Sequence, residues 1–269
     1  MTSKNKIQIE VETILSTSLL TSVGDLGNTN IINYEFSQSD KEKLINVKNE
    51  DVRGLLFKGT VSLLIAIEKF RDKYYSWPTV NLYYSCFYLL KSSLCSRNVF
   101  LFRKERDMYH IDIDESSNLT KVPAKHKSDH NSSIYLFKKK YSETDILQSN
   151  DIGSQNSYEW LRGKREEINY KFPTFYEPAC PNYWEEIKSN YPISKFTKLL
   201  KSYINDDDFI YPFLEDHAIL ALPIKRLELS IKDAKDNGLA NPFNTEQKKI
   251  LRERLNKLKI NNVMKVLIE

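Results

Sequence analysis

Glycine is scarce in this sequence, seven in 269 residues. Rossmann and P-loop enzymes place several glycines where the backbone must approach a phosphate, and no such loop, no nucleophile elbow and no zinc spacing occurs. A nucleotide-dependent enzyme is therefore not expected, and no cofactor is implied. Cysteine is scarcer still. Cys86, Cys95 and Cys180 form neither a CxxC pair nor an even framework, which argues for a reducing compartment over a disulfide-stapled secreted domain. No apolar run approaches the roughly 18 residues that a membrane helix needs. Residues 1–20, broken by Glu10, Glu12 and Thr13, lack the order of a signal peptide. A soluble, cytoplasmic protein with no membrane partner is expected. Charge of one sign is not in excess either. With 40 basic and 36 acidic residues the net charge of +4 is spread along the chain, so nucleic-acid binding is permitted without being indicated.

What the chain has is apolar and aromatic mass. Hydrophobic residues make up 41%, including 16 Tyr and 13 Phe, which supplies a sizeable core and excludes wholesale disorder. The fold class read from the periodicity is mainly α: a helical bundle with long loop insertions and a small terminal strand pair. Three parts are expected: an N-terminal arm over 1–53, the bundle over 54–192 and a C-terminal helical extension over 193–269.

In the arm, Ile7, Ile9 and Val11 alternate with polar residues like a short strand, and Gly24, Gly27 and Asn28 supply turn chemistry. Leu56, Leu63, Leu64, Ile67 and Phe70 recur at helical spacing over 55–75, and Pro78 is expected to end that element. Thr79 then caps the most apolar helix, whose core-facing stripe is Val80, Tyr83, Tyr84, Phe87, Leu90 and Leu94. Between 97 and 129 the pattern dissolves into charges and reads as a long surface excursion. Further helices are expected over 131–141 and 157–171. A proline-punctuated wrapping segment with at most a short helix then holds Tyr176, Tyr183 and Trp184. Helices follow over 194–204, over 214–235, interrupted or kinked at Pro223 and with Gly238 capping its end, and over 244–258. The tail, 263–268, reads as a strand that pairs with the N-terminal one.

The helix over 157–171 carries the polar constellation of most interest. On a wheel with Leu161 at zero, Ile168 falls at about −20° and Arg165 at about 40°, inside the apolar arc, with Asn169 and Arg162 beside it at about 80° and 100°. An arginine on such a stripe needs a partner. One reading is an ion pair that closes the bundle, with Glu68 or Glu159. The other is a site that grips phosphate, for which Arg is a good bidentate ligand.

A resemblance enters on four pieces of sequence. The run from Leu82 through Tyr83, Tyr84, Ser85, Cys86, Phe87, Tyr88, Leu89 and Leu90, followed by Lys91 and Leu94, is similar to the aromatic helix of bacterial HEPN-like proteins. His126 and His130 precede Ile134 and Phe137 as in that family's loop-and-helix segment, and the stretch from Leu161 to Tyr170 resembles its last conserved helix. Met108, Tyr109 and His110, soon after the aromatic helix, resemble the YaaC-like branch. The similarity covers about a third of the chain. It implies a dimeric helical subunit of a bacterial antiphage or other conflict system, partnered with itself or with a nuclease or ATPase, and touching RNA or DNA. Active members cleave RNA without metal, using an Arg followed about four to six residues later by a His. Here Arg165 or Arg162 takes the arginine's place, and Tyr170, Lys171 and Phe172 stand where the histidine should be. Without a local imidazole the acid–base step loses its usual proton carrier, so a non-catalytic binding or assembly module is the first expectation. A ribonuclease using Arg165 with His126 or His130 from the loop is the alternative, and a DNA-binding accessory subunit a third.

Other residues have plainer roles open to them. His126 and His130, four apart, could share a metal on a helical face, but Lys125, Lys127 and Ser128 favour a solvated loop, and no metal is expected. Asp112, Asp114 and Glu115 lack the glycine and further ligands of a calcium loop. Tyr183, Trp184 and Tyr191 could stack on bases, yet aromatics between prolines more often pin a loop to the core. In the last helix Lys248, Lys249, Arg252, Arg254 and Lys257 form the best basic stripe, a candidate contact for nucleic acid or an acidic partner.

Overall fold

The computed structural model describes residues 5–269; the first four residues of the expected arm lie outside it. The chain is mainly helical, with one three-stranded sheet and one two-stranded ribbon among the described residues.

The N-terminal segment is a helix, α1 (Lys6–Leu19), where a strand was expected. Ile7, Val11, Ile14 and Leu15 are all buried, which is helical spacing that the Ile7, Ile9, Val11 alternation disguises. Asn5 caps it, its side chain accepting from the Gln8 amide at 2.7 Å, and Asp51 accepts from the amides of Lys6 and Ile7 at 2.9 and 2.8 Å. The short α2 (Asn28–Asn33) leads into α3 (Gln38–Arg71), a 34-residue helix opened by a capping box between Ser37 and Asp40. It runs without a break through position 53, where the sequence reading divides arm from bundle.

The next helix, α4 (Ser76–Ser96), starts three residues before Thr79, and Pro78 sits in its first turn. Prolines fit there because the first-turn amides have no intrahelical acceptor. Thr79 instead bonds back to the Tyr75 carbonyl at 2.8 Å. The cap comes from a distant residue: Glu177 accepts from the amides of Tyr75 and Ser76 at 2.6 and 2.7 Å and from the Ser76 hydroxyl at 2.7 Å. Helices α3 and α4 approach closely at Gly59, where a Cβ would lie 2.7 Å from Leu89 Cγ. Ser85 Oγ donates to the Gly59 carbonyl at 2.8 Å across the same contact.

The expected surface excursion over 97–129 contains a sheet. Strands β1 (Val99–Lys104), β2 (Asp107–Asp112) and β3 (Thr120–Lys121) pair antiparallel in that order, with Phe102 opposite Tyr109. Phe100, Phe102, Tyr109 and Ile111 enter the core. The outer edge of β1 is covered by α1: Gln8 accepts from the Arg103 amide at 2.9 Å and donates to its carbonyl at 2.8 Å, acting as a one-residue strand.

Helix α5 (Asp129–Tyr141) follows, then the ribbon β4 (Asp151–Ile152) and β5 (Gln155–Asn156), and α6 (Ser157–Glu166), which ends in a π turn, Glu167–Lys171. The wrapping segment holds one short helix, α7 (Asn182–Ser189), as expected. Beyond it come α8 (Ile193–Ile204), α9 (Glu215–Asp236), α10 (Thr245–Lys257) and α11 (Asn261–Met264). Pro223 does not interrupt α9, and Gly238, at φ +92°, follows its end as the left-handed residue. The expected terminal strand pair is absent from the described residues. The tail is helical to Leu267 and buries Met264, Leu267 and Ile268.

Helices α3, α4 and α9 pack on one another and form the centre. In it lies Arg226, fully buried, bonded to Asp145, to Asp233 at 3.0 Å and to the hydroxyls of Tyr158, Ser93 and Ser230 at 3.3, 3.2 and 3.1 Å. No described helix is long and apolar enough to cross a membrane.

Candidate functional site

Helices α4, α5 and α6 meet where the sequence reading places its candidate residues. Asn156 caps α6 by accepting from the Tyr158 amide at 3.2 Å, and Tyr158, Trp160 and Leu161 are buried. That anchoring presents Arg162 and Arg165 toward the first turn of α5. Arg162 makes its ion pairs within its own helix: its Nη2 lies 2.7 Å from Glu159, at an angle too poor for a hydrogen bond, and its Nε 3.5 Å from Glu166. Its Nη1 reaches Asn131 at 3.5 Å.

Arg165 differs. Among the described residues no carboxylate lies within 4.0 Å of it: Glu159 is taken by Arg162 and Lys138, while Glu68 pairs with Lys257 and Arg254. The guanidinium sits between two rings, 5.3 Å from the Tyr83 centroid and 5.2 Å from that of Tyr170. Nη2 donates to the Tyr170 hydroxyl at 3.3 Å, and Nε is buried with no acceptor. Asn169 is exposed on the π turn, and its side chain makes no hydrogen bond among the described residues.

His130, in the first turn of α5, comes to the same place from the other side. Its ring stacks on Phe87 at 4.1 Å, and its Nδ1 shares a 3.0 Å hydrogen bond with the Tyr83 hydroxyl. Tyr83 therefore touches His130 with its hydroxyl and Arg165 with its ring face. Burial raises the Tyr83 pKa and keeps that hydroxyl protonated. Burial also lowers the His130 pKa; Asp129 opposes this, while Arg165 and Lys91 add to it, so the imidazole is neutral at pH 7. A Tyr83 hydroxyl that donates to Nδ1 puts the ring proton on Nε2. His126 stands apart, in a short 3-10 turn, stacked on Tyr135 at 4.3 Å. The two histidines do not share a helical face, and among the described residues no group of three or more His, Cys, Asp or Glu side chains is placed to hold a metal. Asp112 and Glu115 are bridged by Lys140.

In the basic stripe of α10, Arg254 and Lys257 turn to Glu68 at 3.6 and 2.6 Å and Arg252 to Glu269 at 3.4 Å. Lys248 and Lys249 alone keep no carboxylate within 4.0 Å among the described residues. Tyr183 and Trp184 are buried, pinning the wrapping segment. Sequence reasoning missed three members of the site: Tyr83 as the shared bridge, Tyr170 as a lid on Arg165, and Glu177 as the cap of α4. Only Tyr170, five residues past Arg165 where a helix bends into a π turn, left a trace in sequence.

All four histidines carry pKa values lowered chiefly by burial, most strongly His110 on β2, pushed down to about 4. A histidine kept neutral by the fold but free to charge when unfolded gives the unfolded chain the higher proton uptake between its two pKa values. Stability is therefore full above about pH 6.5 and falls as the pH drops toward about 4. A shift of this size is worth about 3 kcal/mol in full, and about 1 to 2 kcal/mol with solvent screening of a half-buried ring. Urea midpoints measured from pH 7.5 down to 4.5 should fall, and fall less steeply for His110→Asn.

Comparison with protein-family models, with curated proteins and with solved structures found no match for this chain.

Proposed function

We propose that this chain is a HEPN-like helical subunit of a bacterial conflict or antiphage system, acting as a non-catalytic module that grips the phosphate backbone of RNA through Arg165. The defence setting, the homodimer and the nuclease or ATPase partner rest on the resemblance of the helix motifs alone. The phosphate grip is supported by one observation: Arg165 keeps a buried, unpartnered Nε and no carboxylate, held between two tyrosine rings. A guanidinium left without a counter-ion in a fixed orientation is suited to a phosphate. The neighbouring Arg162 is already paired within α6, with Glu159 and Glu166, and reaches α5 at Asn131.

A second reading, a metal-independent ribonuclease, is favoured by His130, whose Nδ1 bonds the Tyr83 hydroxyl while Arg165 lies over the face of the same ring. One titration separates the two. Arg165→Ala is expected to weaken binding of a short labelled oligoribonucleotide about tenfold to a hundredfold and to reduce the salt dependence by about one ion. Wild-type protein incubated with the same RNA in chelator is expected to leave it intact. Cleavage abolished by His130→Ala would replace the binding module with the enzyme, and unaltered binding by Arg165→Ala would remove the phosphate grip.

A further inference from the structure

The five exposed aromatic side chains among the described residues all fall in two short segments: Tyr74 and Trp77 at the start of α4, and Tyr170, Phe172 and Phe175 after α6. Between 46% and 72% of each is exposed, although the chain has ample core to bury them. The segments touch. Phe175 packs against Trp77 at 5.7 Å, and Phe172 against Tyr176 at 5.4 Å. Hydrogen bonds fix them relative to each other: the Tyr176 amide donates to Ser76 Oγ at 3.0 Å, and Glu177 holds the end of α4. The rings are thus displayed on anchored backbone. One end of the strip is Tyr170, lying on Arg165. The other opens into a cleft of about 410 Å³ lined by Ile65, Lys69, Tyr74, Trp77 and Asn81.

We propose that this strip is a stacking platform for the unpaired bases of a single-stranded nucleic acid whose backbone is held at Arg165. The proposal rests on the phosphate grip of the preceding section and adds what that grip selects. Exposed aromatic rings beside cations bind single strands without sequence preference, because every base has a stacking face and a duplex hides it. The charge at the border fits a polyanion. Lys73, Lys171 and Arg165, each within the two segments or next to them, have no carboxylate within 4.0 Å among the described residues. A second copy of the chain docked here about a two-fold axis would bring like cations together, which disfavours that occupant.

Trp77 makes the test direct, since the other two tryptophans, Trp160 and Trp184, are buried. Adding an unlabelled oligoribonucleotide to the full chain should quench the exposed tryptophan emission, and a duplex of the same sequence should not. Trp77→Ala combined with Phe175→Ala should weaken the single strand about tenfold per ring and leave duplex affinity unchanged, with circular dichroism and thermal midpoint as folding checks. Oligodeoxyribonucleotides tested alongside tell RNA from DNA. Single-strand binding that needs Arg165 but neither quenches Trp77 nor responds to the double variant would overturn the platform and leave the grip standing. Binding that responds to the double variant and not to Arg165→Ala would do the reverse. No binding by any oligonucleotide overturns both. Conversion of a dimer to a monomer by the double variant, with RNA affinity unchanged, would assign the strip to self-association and overturn the platform.

Discussion

Replacing Arg226 with alanine is expected to destabilise the fold by about 3 to 5 kcal/mol, read as a fall in the urea midpoint at unchanged slope. The guanidinium is fully buried and joins four parts of the chain: Asp145 before the ribbon, Tyr158 on α6, Ser93 on α4 and Asp233 and Ser230 on α9. Asp233 is shared with Arg97, 2.6 Å away, so two arginines and two aspartates balance. Removing one cation leaves two buried carboxylates facing a single arginine, and that uncompensated charge, more than any lost contact, sets the cost. The Arg226 pKa is raised in spite of the desolvation that opposes it, because Tyr158, Asp145 and Asp233 surround it, so the group cannot escape by losing its proton. The exposed pair Lys6 and Glu50, 3.5 Å apart, is the internal contrast: Lys6→Ala should cost well under about 1 kcal/mol. An Arg226→Ala cost below about 1 kcal/mol would show that water reaches the cluster.

Arg226 also illustrates what the sequence conceals. Its helix was legible from the apolar period of 214–235, yet nothing local distinguishes this arginine from a surface one. Its partners lie 81 and 7 residues away in sequence. Helices α5, α6, α8 and α10 were legible because each has a polar cap or a preceding proline, followed by one clean apolar stripe. Helix α1 was misread because three β-branched residues alternate over its first turns, and only the continuation through Ile14 and Leu15 restores the helical period. The sheet was missed for a different reason. Its strands are six, six and two residues long, and the charges at the hairpin turn and after β2 dominate any window that covers them. At the site, Arg162 and Arg165 could be placed on one face of one helix from spacing alone. That Arg165 would lack a carboxylate, and that His130 would arrive through Tyr83, are consequences of how three helices cross.

Trp184→Ala is expected to cost about 3 to 5 kcal/mol, the range for emptying a large buried aromatic site. The indole is fully buried, stacked on Phe70 at 4.7 Å with the rings 15° from parallel, and its Nε1 donates to Thr79 Oγ1 at 2.9 Å. Those contacts bind α7 to the end of α3 and the start of α4, the junction that four residues, 72–75, connect. Trp184→Phe keeps a ring in the stack and loses the hydrogen bond, so a smaller loss of about 1 to 2 kcal/mol is expected. The larger variant also has a local signature. Glu177 and Phe175 lie in the same wrapping segment as Trp184, and freeing α7 releases the cap of α4 together with the aromatic strip. Limited proteolysis of Trp184→Ala should therefore nick the chain between 171 and 182 under conditions where Arg226→Ala, at matched stability, is cut throughout. Equal cleavage patterns would mean that the wrapping segment unfolds only with the whole bundle, and that the strip is as stable as the core beneath it.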